Sequence, residues 1–383
     1  MRRIVATSRL IRRSLLIALG GEWGRRRRMT LAALLLALLM QDPKPPIVQQ
    51  SAIDEAIKEG GQFLLGTLKG GLPSETPFHG GKGIHYDGLV LYTLKHSGND
   101  MKDPEVQKVI DRVARALTSS TYNVATTALA LNAIDPAKYR RELALCAQYL
   151  VDTQAENGQW GYGELHSPSP PAVPVETGGA SGSVKIAIKR GKGPRPAAGD
   201  NSNAQYAALG LWACSRAGFE IDGGILDHAL NWWESSQRPD GSWSYSEGGK
   251  YDPAMGSYGS MTAGGASSIV ILRGMRRKEI KANSVKLAMT WLSNHWAVDK
   301  NPGADSMRST WHYYYLYAVE RLGDLLGTDK IGKWSWYWEG ADFLVKKRDR
   351  GRWTGPDGRI QIADTCFAIL FLERAMRVST GSK

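Results

Sequence analysis

Three short stretches hold most of the side chains that can do chemistry. They are Asp200-Asn-Ser-Asn-Ala-Gln-Tyr206, Trp311-His-Tyr-Tyr-Tyr315 and Asp364-Thr-Cys366. The first places a carboxylic acid beside amides, the arrangement of a buried general acid or of a helix cap. The second joins one histidine to four aromatic rings, whose faces stabilise positive charge. The acids Asp200, Asp305 and Asp364 are the pairs on which a glycosidase-type reaction would have to draw, because it needs two opposed carboxylates. Asp200, His312 and Asp364 are therefore the catalytic candidates. His85 and Asp87 stand at a similar position in an earlier repeat. The remaining histidines have no partner group near them in sequence, and each reads as a surface or core residue.

These residues share a setting, the start of an apolar helix. Nearly all-apolar helices are expected near residues 84–95, 121–134, 202–217, 260–274, 309–322 and 362–374. A more charged helix precedes each, near 51–68, 104–117, 137–153, 224–237, 281–296 and 330–347, with apolar residues at i, i+3, i+4, i+7. A helix apolar all round is buried, and one with a single apolar stripe lies outside it. Six of each in strict alternation describe two concentric rings, an all-α (α/α)6 toroid. No segment sustains a period of two, so no sheet is required. Asp103-Pro104 and Asp135-Pro136 each place an N-cap before a first-turn proline.

In such a toroid the inner helices turn one set of ends into a common mouth. Their first residues are polar: Asn123, Asp200, Asn203, Tyr258, Ser260, Thr262, Ser309, His312 and Asp364. Helix N-termini carry free N–H groups and partial positive charge, which suits an anion or polar head group. The ligand-binding candidates are Asp200, Asn203, Tyr206, Tyr258, Trp311, His312 and Tyr315, with Tyr313 and Tyr314 also expected to line the cavity. The competing reading is that the polar residues only cap helices and the rings only fill the core.

The chain has 383 residues and a formal charge of +12. Nine arginines and one glutamate fall within residues 1–28, so the remainder carries +4. That balance, without a nucleic-acid-binding motif, argues against a nucleic-acid partner. Arg25–Arg28 precede the apolar run Thr30–Met40, too short to span a bilayer comfortably and read as an export signal. The expected organisation is a leader over 1–41, with Met29 as an alternative start, a linker over 42–50, a toroid over 51–378 and a tail over 379–383. A Pro-, Gly- and Lys/Arg-rich insertion over 163–199 leads straight into Asp200 and reads as a lid or a solvated linker, with 183–188 as a hairpin strand. The expected location is periplasmic or extracellular, with membrane contact only through an uncleaved leader. Cys146, Cys214 and Cys366 lack C-x-x-C spacing, and an odd count leaves a free thiol.

The turns between paired helices carry a family resemblance. Leu150-x3-Gln154-x3-Gly158-x-Trp160 and Trp233-x3-Gln237-x3-Gly241-Ser-Trp243 fit the glutamine–tryptophan (QW) repeat of squalene and oxidosqualene cyclases. Leu344-x3-Arg348-x2-Gly351-Arg-Trp353 resembles a degenerate third copy. The chain thus resembles the terpenoid cyclase and prenyltransferase superfamily over residues 50–378, and within it the exported squalene-cyclase-like proteins of undefined activity. The resemblance implies a single toroid that binds a small molecule, isoprenoid or lipid in class. It does not carry over the cyclase reaction, because the Asp-x-Asp-Asp acid motif is missing and Asp200-Asn-Ser-Asn keeps one carboxylate. Protein prenyltransferases bind zinc through an Asp-x-Cys pair and a later histidine. Asp364 and Cys366 match the pair, and His312, which precedes it, completes a zinc alternative to the expectation of no cofactor. The Cys-Gly-Glu-Gln of the thioester-domain relatives is absent. Three functions stay open: a binding or assembly protein outside the cytoplasm, an enzyme of lipid or isoprenoid substrates, and a carbohydrate-active (α/α)6 enzyme.

Overall fold

In a computed structural model of the chain, the described residues are 48–70, 85–115, 120–163, 186–191, 193–245, 256–303, 311–355 and 360–376. The leader, Asp305, Ser309, His79, His166 and most of the 163–199 insertion lie outside them.

Twelve helices are described, in two sets that alternate along the chain. The outer set is α1 (Gln50–Lys69), α3 (Pro104–Arg115), α5 (Arg140–Asp152), α7 (Gly223–Ser235), α9 (Asn283–Asn294) and α11 (Trp336–Lys347). The inner set is α2 (Asp87–His96), α4 (Thr121–Ile134), α6 (Asn201–Arg216), α8 (Gly259–Met275), α10 (His312–Leu326) and α12 (Gln361–Glu373). Inner helices are buried nearly all round, as in α4, where Thr121 and Asn123–Leu131 are all inaccessible. Outer helices bury one stripe, as in α3, where Val106, Val109, Ile110 and Val113 face inward. Each inner helix packs on the next, α2 to α4 and so on to α12, and α12 packs back on α2. The ring therefore closes, and the expected all-α toroid is observed.

The Gly/Trp turns hold adjacent outer helices together. Gln154 Nε2 donates to Ile225 O in the first turn of α7 at 2.9 Å. Gln237 Nε2 donates to Ser284 O in the first turn of α9 at 2.8 Å. Each turn tryptophan is fully buried between the rings. Its indole N–H returns to the preceding helix: Trp160 to Leu150 O, Trp243 to Trp233 O and Trp353 to Leu344 O. The turn glycines Gly158, Gly241 and Gly351 all have positive φ and press on the backbone of the next outer helix. In the third turn that next helix is α1, the first of the described helices. Here Arg348 replaces glutamine and pairs with Glu59 at 3.2 Å and Glu55 at 3.6 Å. The changed copy joins the last repeat to the first.

Several boundaries differ from expectation. Asp103 Oδ1 accepts from Glu105 N as a cap, and α3 starts at Pro104. Asp135 Oδ1 accepts from Ala137 N and Lys138 N, but these bonds close a local turn and α5 begins only at Arg140. Helix α11 starts at Trp336 rather than 330, because Ile331 and Trp334 form a bridged turn through Gly332 at φ 59°. The strand expected over 183–188 is observed as Ile186–Ile188 (β1), but it is not half of a hairpin. It pairs in parallel with Phe219–Ile221 (β2), beyond α6, in register Ile186 to Phe219. A parallel partner requires such a crossover. The chain then follows α5, where Gln148 Nε2 donates to Lys189 O and Asp152 accepts from Gly191 N.

Candidate functional site

Asp200 begins α6, and its carboxylate is spent largely on that helix start. Oδ1 accepts from Asn203 N at 2.8 Å and Ser202 Oγ at 2.6 Å, while Oδ2 accepts from Asn203 Nδ2 at 2.7 Å. Burial pushes the Asp200 carboxyl above its ordinary range, against these hydrogen bonds, which favour the anion. Other polar mouth residues also serve helix starts. Asn123 Oδ1 accepts from His85 N, and Ser260 N donates to Asn301 Oδ1. Thr262 Oγ1 donates to Tyr258 O. Asp87 pairs with Arg112 of α3.

A cluster of tyrosines faces Asp200. Tyr162 and Tyr245 hydroxyls meet at 2.8 Å, and those of Tyr122 and Tyr314 at 3.3 Å. Tyr206 lies 4.5 Å from Tyr122 and stacks on Tyr314 at 5.9 Å between ring centres. Phe367 of α12 meets Tyr314 edge-on at 5.5 Å, and Trp311 approaches it at 6.2 Å. Burial first, then neighbouring phenols and the Asp200 charge, raise the Tyr122, Tyr245 and Tyr258 hydroxyls, so all three stay neutral donors. One acid thus sits among rings contributed by α4, α6, α10, α12 and two turns. Such a surface binds flat or branched apolar groups and stabilises cations.

Sequence reasoning named Asp200, Asn203, Tyr206, Tyr258 and Trp311 for this mouth, and the structure brings them to it. Tyr122, Tyr162 and Tyr245 were not named. A signal for two of them exists: each lies two residues beyond a turn tryptophan, in Trp160-Gly-Tyr162 and Trp243-Ser-Tyr245. Trp311 holds a left-handed conformation, φ 60° and ψ 30°, at the start of α10, a costly state for a bulky residue.

Two other candidates point elsewhere. His312 Nε2 lies 2.9 Å from Val298 O, and its ring packs on Phe343 of α11 at 5.1 Å. It thus faces the outer ring, and burial holds its pKa down to about 4. Tyr315 packs against Trp296 and Gly259, also away from the tyrosine cluster. Asp364 Oδ2 accepts from Gly355 N at 2.7 Å, and Cys366 is buried. Among the described residues no three His, Cys, Asp or Glu side chains are grouped to hold a metal, and Asp364, Cys366 and His312 form no such set.

The fold defines a class: this is a terpenoid-cyclase-like helical toroid. No family model matches the chain, and no curated protein matches its sequence. Among solved structures it is similar to the type II terpene cyclase MstE from Scytonema. The match to an MstE variant bound to geranylgeranyl dihydroxybenzoate has a TM-score of 0.53 at 10% identity, over 87% of this chain and 98% of that one. A second variant, bound to merosterolic acid A, gives 0.53 at 11% identity, over 85% and 98%. Apo MstE gives 0.51 at 10% identity, over 86% and 99%. At such identity the likeness concerns the fold.

Proposed function

We propose that the chain is an exported toroid that binds an isoprenoid or similar lipid at its inner-helix mouth, without alkene-protonating cyclase chemistry. The observation that carries this reading is the convergence of Tyr122, Tyr206, Tyr314 and Phe367 beside the single acid Asp200. The ligand of MstE has a geranylgeranyl chain, the class that such a ring-lined core suits. Asp200 acts chiefly as a cap, since three donors already occupy its oxygens. The leader, with Arg25–Arg28 before Thr30–Met40, supports export; among the described residues no helix is long and apolar enough to cross a membrane. No nucleic-acid partner or resident metal belongs to this reading.

Native mass spectrometry of the chain incubated with geranylgeraniol tests it. A bound mass is expected, weakened by Tyr206→Leu and nearly unaffected by Asp200→Asn. Absence of any bound lipid would overturn it. A second reading, an isoprenoid-acting enzyme with Asp200 as the acid, draws on the raised pKa of that carboxyl. It requires a chemically altered product from wild type that Asp200→Asn no longer forms.

A further inference from the structure

Below the tyrosines, the inner ring encloses a cation that forms no salt bridge among the described residues. Tyr314, Tyr317 and Arg321 fall at i, i+3 and i+7 of α10 and share one stripe. Arg321 is 0% exposed. Its guanidinium carbon lies 4.5 Å from the centre of the Tyr317 ring and 5.7 Å from that of Tyr206. Nη2 donates to Gln205 Oε1 of α6 at 2.7 Å. Among the described residues Nε and Nη1 have no acceptor. Glu320, the next residue, is turned to Met376 N at 2.8 Å, and burial, followed by the Asp324 charge, raises its carboxyl well above the usual range.

The surrounding polar atoms have the same deficit. Among the described residues Gln205 Nε2 is buried without a partner, and the Tyr206 hydroxyl, which lies beside the Arg321 guanidinium, makes no hydrogen bond of good geometry. Gln205 rests on Gly264 of α8, where any Cβ would collide with its amide, so bare backbone holds the amide in place. Two guanidinium nitrogens and an amide nitrogen on neighbouring side chains therefore lack acceptors among the described residues, and all three can only donate. Buried donors of this kind are ordinarily matched by acceptors, and a buried charge by a counter-charge. An oxyanion supplies both at once.

We propose that Arg321, Gln205 and Tyr206 form an anion subsite that receives the carboxylate or phosphate head of an acidic lipid entering head-first, its chain lying against the tyrosines above. This rests on the mouth being the binding site, and it narrows the ligand class from lipids generally to acidic ones.

The test compares geranylgeraniol with geranylgeranoic acid by calorimetric titration of the whole chain, and adds acetate and inorganic phosphate in thermal-shift assays. The acid is expected to bind at least about tenfold more tightly than the alcohol, as befits a charge-assisted hydrogen bond. Arg321→Met should abolish that preference while the alcohol still binds, and should remain folded, since an unbranched side chain of similar length replaces the buried charge. Arg321→Lys, which keeps the charge, should retain part of the preference and guards against a misfolded Met variant. Equal binding of acid and alcohol by wild type overturns the subsite while the mouth reading survives. If neither lipid binds, the mouth reading fails. In that case an Arg321-dependent stabilisation by acetate or phosphate still supports the subsite, and its absence overturns it.

Discussion

Replacing Gly241 with alanine tests how the repeats are joined. Gly241 has φ 91°, and a Cβ there would lie 2.6 Å from Leu287 O and 2.7 Å from Leu287 C. The left-handed backbone alone costs an L-residue about 1–2 kcal/mol. The contact is with helix backbone, so α9 must retreat. That movement strains the bond from Gln237 Nε2 to Ser284 O at 2.8 Å, worth about 1 kcal/mol. The expected loss is about 3 kcal/mol, or roughly 6 °C in melting temperature at about 2 °C per kcal/mol. Gly66 is the control: it is exposed in the interior of α1 with nothing within 4 Å of its Cβ position. Gly66→Ala should stabilise by about 0.5–1 kcal/mol. Urea unfolding followed by circular dichroism reads both. A Gly241→Ala protein within about 1 kcal/mol of wild type would show that the close approach is not a rigid joint, and the account of the turns would fall.

Gln154→Leu removes donors to Ile225 O at 2.9 Å and Gly158 O at 3.3 Å from a fully buried site. It should cost about 2 kcal/mol in the same assay, and a neutral result would reduce this glutamine to filler. The pH dependence has two opposed parts. Burial depresses His312 and His96 from 6.5 to about 4, so between those values the unfolded chain binds more protons and stability is lost as pH falls. Glu373 is raised by burial from 4.5 to about 7, so its contribution is lost as pH rises through that window. His312→Phe should flatten the acid limb, and Glu373→Gln should raise stability above pH 7 while changing little below pH 4. Melting curves of each variant at stepped pH check the signs.

Helix type and order were legible in the sequence because burial on all sides and burial on one side leave different patterns, as in α4 and α3. The turn positions were legible too, since a left-handed bend against neighbouring backbone requires glycine at Gly158 and Gly241. The mouth was half legible: polar residues at inner-helix starts marked its level but not its members. A helix apolar all round gives no sign of which side faces the axis. His312 and Tyr315 therefore looked equivalent to Tyr314, and only packing turned His312 toward Phe343 and Tyr315 toward Trp296. Arg321 was hidden for the opposite reason, since a charged residue near a helix end reads as solvated. Tertiary structure alone joined Tyr162 to Tyr245 across 83 residues and closed the ring by pairing Arg348 with Glu55 and Glu59. Sequence periodicity reports how much of each helix is buried. What a buried face touches depends on the ring as a whole, whose closure brings the first and last described repeats together.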